Sequence, residues 1–355
     1  MKARALKVGA LVAAIASAAL LAGCQSPAPP PPVAEAPPPP PVPPMALSSG
    51  VTDAAAAYLS YVRDAETITA AFADPASIQA SLRRGAAYEP KSFARGAVAY
   101  AAVVAMQDPA FVQGVRAFAA NPSQREAMVR QIMADPAYAA QLPGAQSAAG
   151  LIASTLNTDG QAIHKAGSAV KQAAYDVQRQ KWSREYVKDR DARLALAKQL
   201  GATPLTGSSS ESGRLQQAAL TGSGLNVVTA SAQPPYTQTV VRGLAVAALA
   251  ALGAAGEENA ANVDLLLNET TGPYCLNMSK LNLYQCLAVS KPHYEDVFCL
   301  GQHVLMDTGQ CLTKVAGNLQ APMTAFEPTL TAQTPAAPDA ATPVVQSPKD
   351  GGPTN

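Results

Sequence analysis

The sequence predicts an all-α protein. A multi-helix body should contain one long helix and a C-terminal helical hairpin stapled by disulfides. It should sit between a disordered N-terminal linker and a disordered C-terminal tail. Three observations carry this prediction. The body is rich in alanine and only 5% of the chain is aromatic, and alanine is the best helix former because it loses no side-chain entropy in a helix. Asp or Asn followed by Pro recurs ahead of segments with helical apolar periodicity. The proline-free stretch 160–200 repeats small and branched apolar residues every three or four positions.

The helices take their starts from caps. Asp74-Pro75, Asp108-Pro109, Asn121-Pro122 and Asp135-Pro136 each set a side-chain acceptor beside a proline whose missing N–H is orphaned at a helix start anyway. Their spacings of 34, 13 and 14 residues predict short helices joined by tight corners and are too uneven for a solenoid repeat. Phe111, Val112, Val115 and Phe118 share one face of the second of these helices. From Gly160 to Leu200 a single helix of about 40 residues would span roughly 60 Å. Ile163, Ala166, Val170, Ala173 and Val177 form its seam, and Gly201 is its stop.

From Lys171 onward this stretch holds eight basic and four acidic residues, which reads as a solvated face with i,i+4 pairs rather than a lipid- or polymer-binding strip. Gly207 to Gly213, GSSSESG, reads as a flexible break. Two helical domains are therefore expected, 51–206 and 214–317. Gly243 to Gly256 is apolar, too short to cross a bilayer and interrupted by glycine, and is expected as a buried central helix. From Asn318, Pro, Thr, Ala and Ser dominate, so 318–355 is expected as a disordered tail.

Besides Cys24 the chain has four cysteines, in two repeated contexts: Tyr274-Cys275-Leu276 with Gln285-Cys286-Leu287, and Phe298-Cys299-Leu300 with Gln310-Cys311-Leu312. Four cysteines allow three connectivities. Cys275 and Cys286 share a helix face but lie about 16 Å apart along the axis, beyond the roughly 7 Å that a disulfide spans between Cα atoms. The pairs Cys275–Cys311 and Cys286–Cys299 are centred on 293 and 292.5, at Lys291-Pro292-His293. An antiparallel hairpin turning there would join them as nested rungs. The rival, Cys275–Cys286 with Cys299–Cys311, requires each repeat to be a short hairpin of its own. The layout resembles the twin-cysteine helical hairpin of the CHCH class in general outline, although the spacings differ.

The N-terminus sets the compartment. Lys2, Arg4 and Lys7 precede an uncharged run from Val8 to Leu21, shorter than the roughly 20 residues of a membrane span. Leu21-Ala22-Gly23-Cys24 follows, and resembles the lipobox of bacterial lipoproteins. The resemblance implies that 1–23 is a signal peptide, that Cys24 becomes the lipidated (palmitate-bearing) first residue, and that 24–50 is a lipid-anchored linker. Gln25, where inner-membrane lipoproteins carry Asp, implies an outer membrane lipoprotein facing the periplasm. Pro27 to Pro44 should form a polyproline II spacer, 18 positions reaching about 55 Å. An envelope location also makes the cysteines disulfides.

Removing 1–23 takes three of the 26 basic residues and leaves 23 against 25 acids, so nothing argues for nucleic acid. No catalytic residue, metal ligand or cofactor is predicted. Ser168-x-x-Lys171 matches a nucleophile pattern but falls mid-helix without companion motifs. His293 and His303 lie among cysteines spaced too far apart for a structural zinc site; His293 is expected at an exposed turn and His303 on a helix face. The expected function is a non-enzymatic interaction or scaffold module, tethered to the membrane through Cys24 and holding an envelope protein or cell-wall polymer. The alternative is an envelope hydrolase acting on wall or lipid through a carboxylate that the sequence does not mark.

Overall fold

The computed structural model describes residues 41–228, 230–317 and 327–329. The expected signal peptide, Cys24 and most of the proline-rich linker lie outside these residues, as does the tail apart from 327–329. Thirteen α-helices, and no strand, are found among the described residues. The first five are α1 (Ser49–Glu66), α2 (Pro75–Ala86), α3 (Pro90–Ala105), α4 (Pro109–Ala119) and α5 (Pro122–Ala134). They are followed by α6 (Ala145–Val177), α7 (Arg190–Gly201), α8 (Ser209–Thr221), α9 (Gln238–Ala251) and α10 (Ala260–Leu266). The last three are α11 (Thr271–Val289), α12 (His293–Cys299) and α13 (Asp307–Ala316), with a π-helical segment, Leu300–Met306, between α12 and α13.

The caps act as their chemistry dictates. Asp74, Asp108 and Asn121 accept from the backbone N–H three residues on, at Ser77, Phe111 and Gln124. Asp135 accepts from Ala137 and opens a 3-10 turn, Pro136–Gln141. Glu89-Pro90 opens α3 in the same manner, its carboxylate taking the N–H groups of Lys91 and Ser92. Phe111 and Val115 are fully buried, with Val112 and Phe118 packed at their flanks.

α3 and α9 form the centre of the body. Both are alanine-rich, nearly all their residues are buried, and they pack on each other. The apolar run 243–256 is thus a buried central helix, but it is helical only to Ala251, because Gly253 takes a left-handed φ of 72°. Small side chains let these helices approach closely, and the bulk comes from one aromatic cluster. Tyr58, Tyr61, Tyr88, Phe93 and Tyr100 stack or meet edge-on at centroid distances of 4.8–5.5 Å. Each such pair adds about 0.5–1.5 kcal/mol beyond burial. The buried hydroxyls find partners: Tyr61 donates to the Gly85 carbonyl at 3.0 Å, and Tyr88 pairs with Thr308 at 2.8 Å.

Three expectations are corrected. First, the long helix is α6, 33 residues from Ala145 to Val177, not 160–200. It begins earlier, after Gly144, and stops where the Ser183 hydroxyl caps the Val177 carbonyl. The chain then turns and resumes as α7. Within α6, Ile163, Val170, Ala173 and Val177 are buried as a seam, but the closest packing lies on the adjoining glycines. A Cβ on Gly160 would lie 2.8 Å from the Gly309 carbonyl oxygen, one on Gly167 2.6 Å from the Met306 nitrogen, and one on Gly301 2.5 Å from the Lys171 nitrogen. These pairs run in opposite order along the two chains, so the α12–α13 arm crosses α6 antiparallel with the backbones nearly touching.

Second, 207–213 is not a domain boundary. From residue 41 onward the described helices belong to one compact unit, in which α8 packs on α1 and α3, α9 on α3, and α13 on α6. α3 and α9, each buried over nearly all its residues, lie in different expected halves and cover each other. The serines of 207–213 serve a cap: Ser208 accepts from Glu211 and starts α8. Third, the last residues of the expected linker are packed. Arg116 donates to the Pro43 carbonyl, Ala46 N–H donates to Ala250, and α1 starts at Ser49.

Candidate interaction surface on the stapled hairpin

α11 and the α12–α13 arm form a hairpin that turns at 290–292. Disulfides join Cys275 to Cys311 and Cys286 to Cys299, with Cα separations of 5.7 and 5.8 Å. The inner loop of 13 residues and the outer of 36 correspond to about 3 and 4 kcal/mol of chain-entropy restriction taken singly, and less than their sum together.

The two arms do not match in length. Cys275 and Cys286 are 11 residues apart, three helical turns to within about 20°, whereas Cys299 and Cys311 are 12 apart. Twelve residues of α-helix would rotate Cys311 about 120° off the face of Cys299. The π-helical segment Leu300–Met306, with its i→i+5 bonds, absorbs one extra residue. Both cysteines of this arm therefore face α11.

The turn is fixed from behind. Arg193 on α7 donates to the Asp296 carboxylate and to the Leu287 carbonyl, and the ion pair is fully buried. Ser290 and Gln79 also donate to Asp296, each at 2.9 Å. The segment before α7 pairs with the turn, Val187 N–H to the Lys291 carbonyl at 2.9 Å and His293 N–H to the Glu185 carbonyl at 3.2 Å. His293 is consequently buried rather than at an exposed turn. Burial lowers its pKa, against the pull of Asp296 and Glu185. His303 lies on the helix face expected for it, its Nδ1 2.9 Å from Asp307. Burial works against the Asp307 carboxylate, but hydrogen bonds from His303 and Gln302 hold it below the usual range.

The outer face of α11 carries exposed apolar side chains, with exposed Asn277 and Gln285 among them. Tyr274 and Val289 are 72% and 73% exposed, and Met278 and Leu281 lie between them, also exposed. Positions 274, 278 and 281 follow a four-then-three spacing, so they form one stripe along the helix. Val289, two turns beyond Leu281 and about 80° round the helix, stands on the rim of a groove of about 420 Å³, walled by Ala174, Tyr175 and Gln178 at the end of α6 and by Tyr294 and Phe298 of the opposite arm. Lys171 stands over the Phe298 ring at 5.3 Å and donates to Gln302 at 2.7 Å.

Besides the buried tyrosines, whose pKa values burial raises, a lysine and an aspartate inside the body are strongly perturbed. Burial pushes Lys280 down to about 7, against Glu89; its Nζ donates to the Ala86 carbonyl at 2.5 Å and sits 3.6 Å from the Tyr88 ring centre. Burial pushes Asp159 up to about 7, against a hydrogen bond donated by Tyr58 at 2.9 Å. Sequence reasoning marked neither residue, because both shifts come from helices distant in the chain. Ser168, of the Ser-x-x-Lys match, donates to the His164 carbonyl inside α6. Among the described residues no group of three or more His, Cys, Asp or Glu side chains is placed to hold a metal ion. No helix among them is long and apolar enough to cross a membrane. Cys24, the expected lipidation site, lies outside the described residues.

Fold and surface together define an all-α protein with a disulfide-stapled hairpin that presents an apolar stripe. Comparison with protein-family models, with curated proteins and with solved structures returned no match.

Proposed function

We propose that this chain is a lipoprotein of the bacterial envelope, anchored through a lipid on Cys24 to the periplasmic face of the outer membrane. There it acts as a non-enzymatic interaction module. The observation that carries this reading is the stripe Tyr274, Met278 and Leu281, exposed among the described residues with Val289 nearby, on a helix that two disulfides and a buried ion pair hold rigid. A rigid helix with a bare apolar stripe loses little entropy on docking, which favours a protein partner over a cell-wall polymer. Two disulfides also suit an oxidising compartment.

Two measurements test the proposal. Cys24→Ala should move the protein from the membrane to the soluble fraction and abolish palmitate labelling; unchanged membrane retention would refute the anchor. In pull-downs from envelope extract, the Met278→Asp/Leu281→Asp variant should lose at least ten-fold of whatever protein the natural chain recovers. Equal recovery would refute the stripe.

A second reading, a hydrolase acting on wall or lipid, would rest on Asp159, a carboxyl whose pKa near 7 suits general acid–base work. That carboxyl is engaged by the Tyr58 hydroxyl inside the body, whereas the stripe is exposed, which favours the first reading.

A further inference from the structure

A polar cleft of about 500 Å³ lies behind the turn at 290–292. It is walled by α2, by residues 185–189, by the first two turns of α7 and by His293. Its walls are tied together. Val187 N–H donates to Lys291 and His293 N–H to Glu185, and Gln79 of α2 donates to Asp296. The volume falls in the range of small-molecule sites and exceeds what a single ion needs.

Three sets of polar groups in this cleft lack partners. His293 is only 9% exposed, and its Nδ1 has no hydrogen-bond partner. Burial holds its pKa below the usual value, so at pH 7 the ring is neutral and has one N–H to donate. Arg193 is 6% exposed. Its two terminal nitrogens serve Asp296 and Leu287, and its Nε has no partner. α7 begins without a side-chain cap at Asp189. The N–H groups of Arg190, Asp191 and Ala192 precede the first bond of the helix, Arg193 to Asp189, and are left open. Open donors at the positive end of a helix dipole, beside two buried orphaned nitrogens, suit a carboxylate.

Charge decides what else the ligand carries. Arg83, Lys188 and Arg193 line the cleft against Glu185 and Asp189, and Asp296 is paired with Arg193. Cations and carboxylates balance, so no net field gathers a bare anion. Among the described residues only Arg193 and Asp296 of these six are ion-paired. Charges of both signs are therefore free on the rim, as a zwitterion requires. Pro75, Tyr186 and Leu196 supply apolar wall.

We propose that this cleft binds a short apolar peptide with both ends free. Its terminal carboxylate is taken by the first turn of α7, Arg193 and His293, and its ammonium by the rim carboxylates. The cleft is separate from the α11 stripe, and the proposal stands whichever partner the stripe takes.

The test is saturation-transfer NMR on the oxidised full chain, with tripeptides built from Ala, Val, Leu and Phe as probes. At least one should bind with a Kd of about 1 mM or tighter. Its C-terminal amide should bind at least ten-fold more weakly, and its N-acetyl form several-fold more weakly. Ala192→Glu places a carboxylate at an exposed position in the first turn of α7, where it reaches the open N–H groups and supports the helix. This variant should keep its helical circular dichroism and lose binding at least ten-fold. No binding by any of the tripeptides, equal binding of either blocked form, or equal binding by the folded Ala192→Glu variant would each overturn the proposal.

Discussion

Lys280 gives the fold a pH signature that can be worked out from its surroundings. Its ammonium is buried between the Ala86 carbonyl and the Tyr88 ring, and burial lowers its pKa to about 7. In the unfolded chain a lysine titrates at about 10.4. Between these values the unfolded state holds a proton that the folded state lacks, so unfolding takes up a proton and stability rises with pH. The slope is at most about 1.4 kcal/mol per pH unit, or about 2 kcal/mol from pH 7.5 to 9.0. The buried tyrosines, whose pKa values are raised, oppose this only as unfolded tyrosine begins to ionise near pH 10, outside that window. Lys280→Met keeps most of the volume and removes the titration. It also removes one of the two donors to the Ala86 carbonyl, leaving the Tyr88 N–H at 3.0 Å, at a cost of about 0.5–1.5 kcal/mol, so the absolute change at one pH mixes two opposing terms. The slope does not. Urea melts followed by far-UV circular dichroism at constant ionic strength should show the natural chain gaining about 2 kcal/mol between pH 7.5 and 9.0 and the variant gaining little. Equal slopes would show that Lys280 is not the source.

Other consequences of the structure are equally direct. Replacing Cys286 and Cys299 together with serine should cost about 3 kcal/mol in urea melts; a cost under about 1 kcal/mol would mean that packing alone holds the hairpin. Gly309→Ala places a Cβ 2.5 Å from the Gly160 carbonyl oxygen and should cost about 2–3 kcal/mol. Gly213→Ala in α8, with nothing within 4 Å, should instead stabilise by about 0.5–1 kcal/mol in the same melts. Deleting Gln302 shortens the π-helical arm to the 11-residue spacing of α11, and peptide mapping without reduction should still find both disulfides. Deleting Asn277 turns Cys275 about 100° off its face and should lose the Cys275–Cys311 bridge; if both deletions behave alike, the π segment does not set the register.

What the sequence disclosed was mainly local. The Asp-Pro and Asn-Pro caps work through adjacent atoms, so the starts of α2, α4 and α5 could be read directly. The turn at 290–292 follows from cysteines spaced symmetrically about residue 292. The spacing of 12 in one arm against 11 in the other was also visible, and it signals the π insertion, because a straight helix would misalign Cys299 and Cys311. The end of α6 was not legible, because nothing between Gln178 and Asp189 forbids a helix. The helix ends there through distant contacts, the pairing of 185–187 with 291–293 among them. The single compact body was hidden for a similar reason: polar serines suggested a break, whereas α3 and α9 need each other for cover. Lys280 and Asp159 carry no sequence mark, since their pKa shifts arise from tertiary burial.

The central claim is that the bare stripe of α11 is where the protein is held by a partner. A photo-crosslinker placed at Leu281 on the stripe and, as a control, at Arg130 on the exposed face of α5 measures this in the intact cell. The account predicts a discrete crosslinked protein from position 281, lost when Met278→Asp is added, and none from position 130. The same pattern from both positions, or no protein crosslink from position 281, would contradict it.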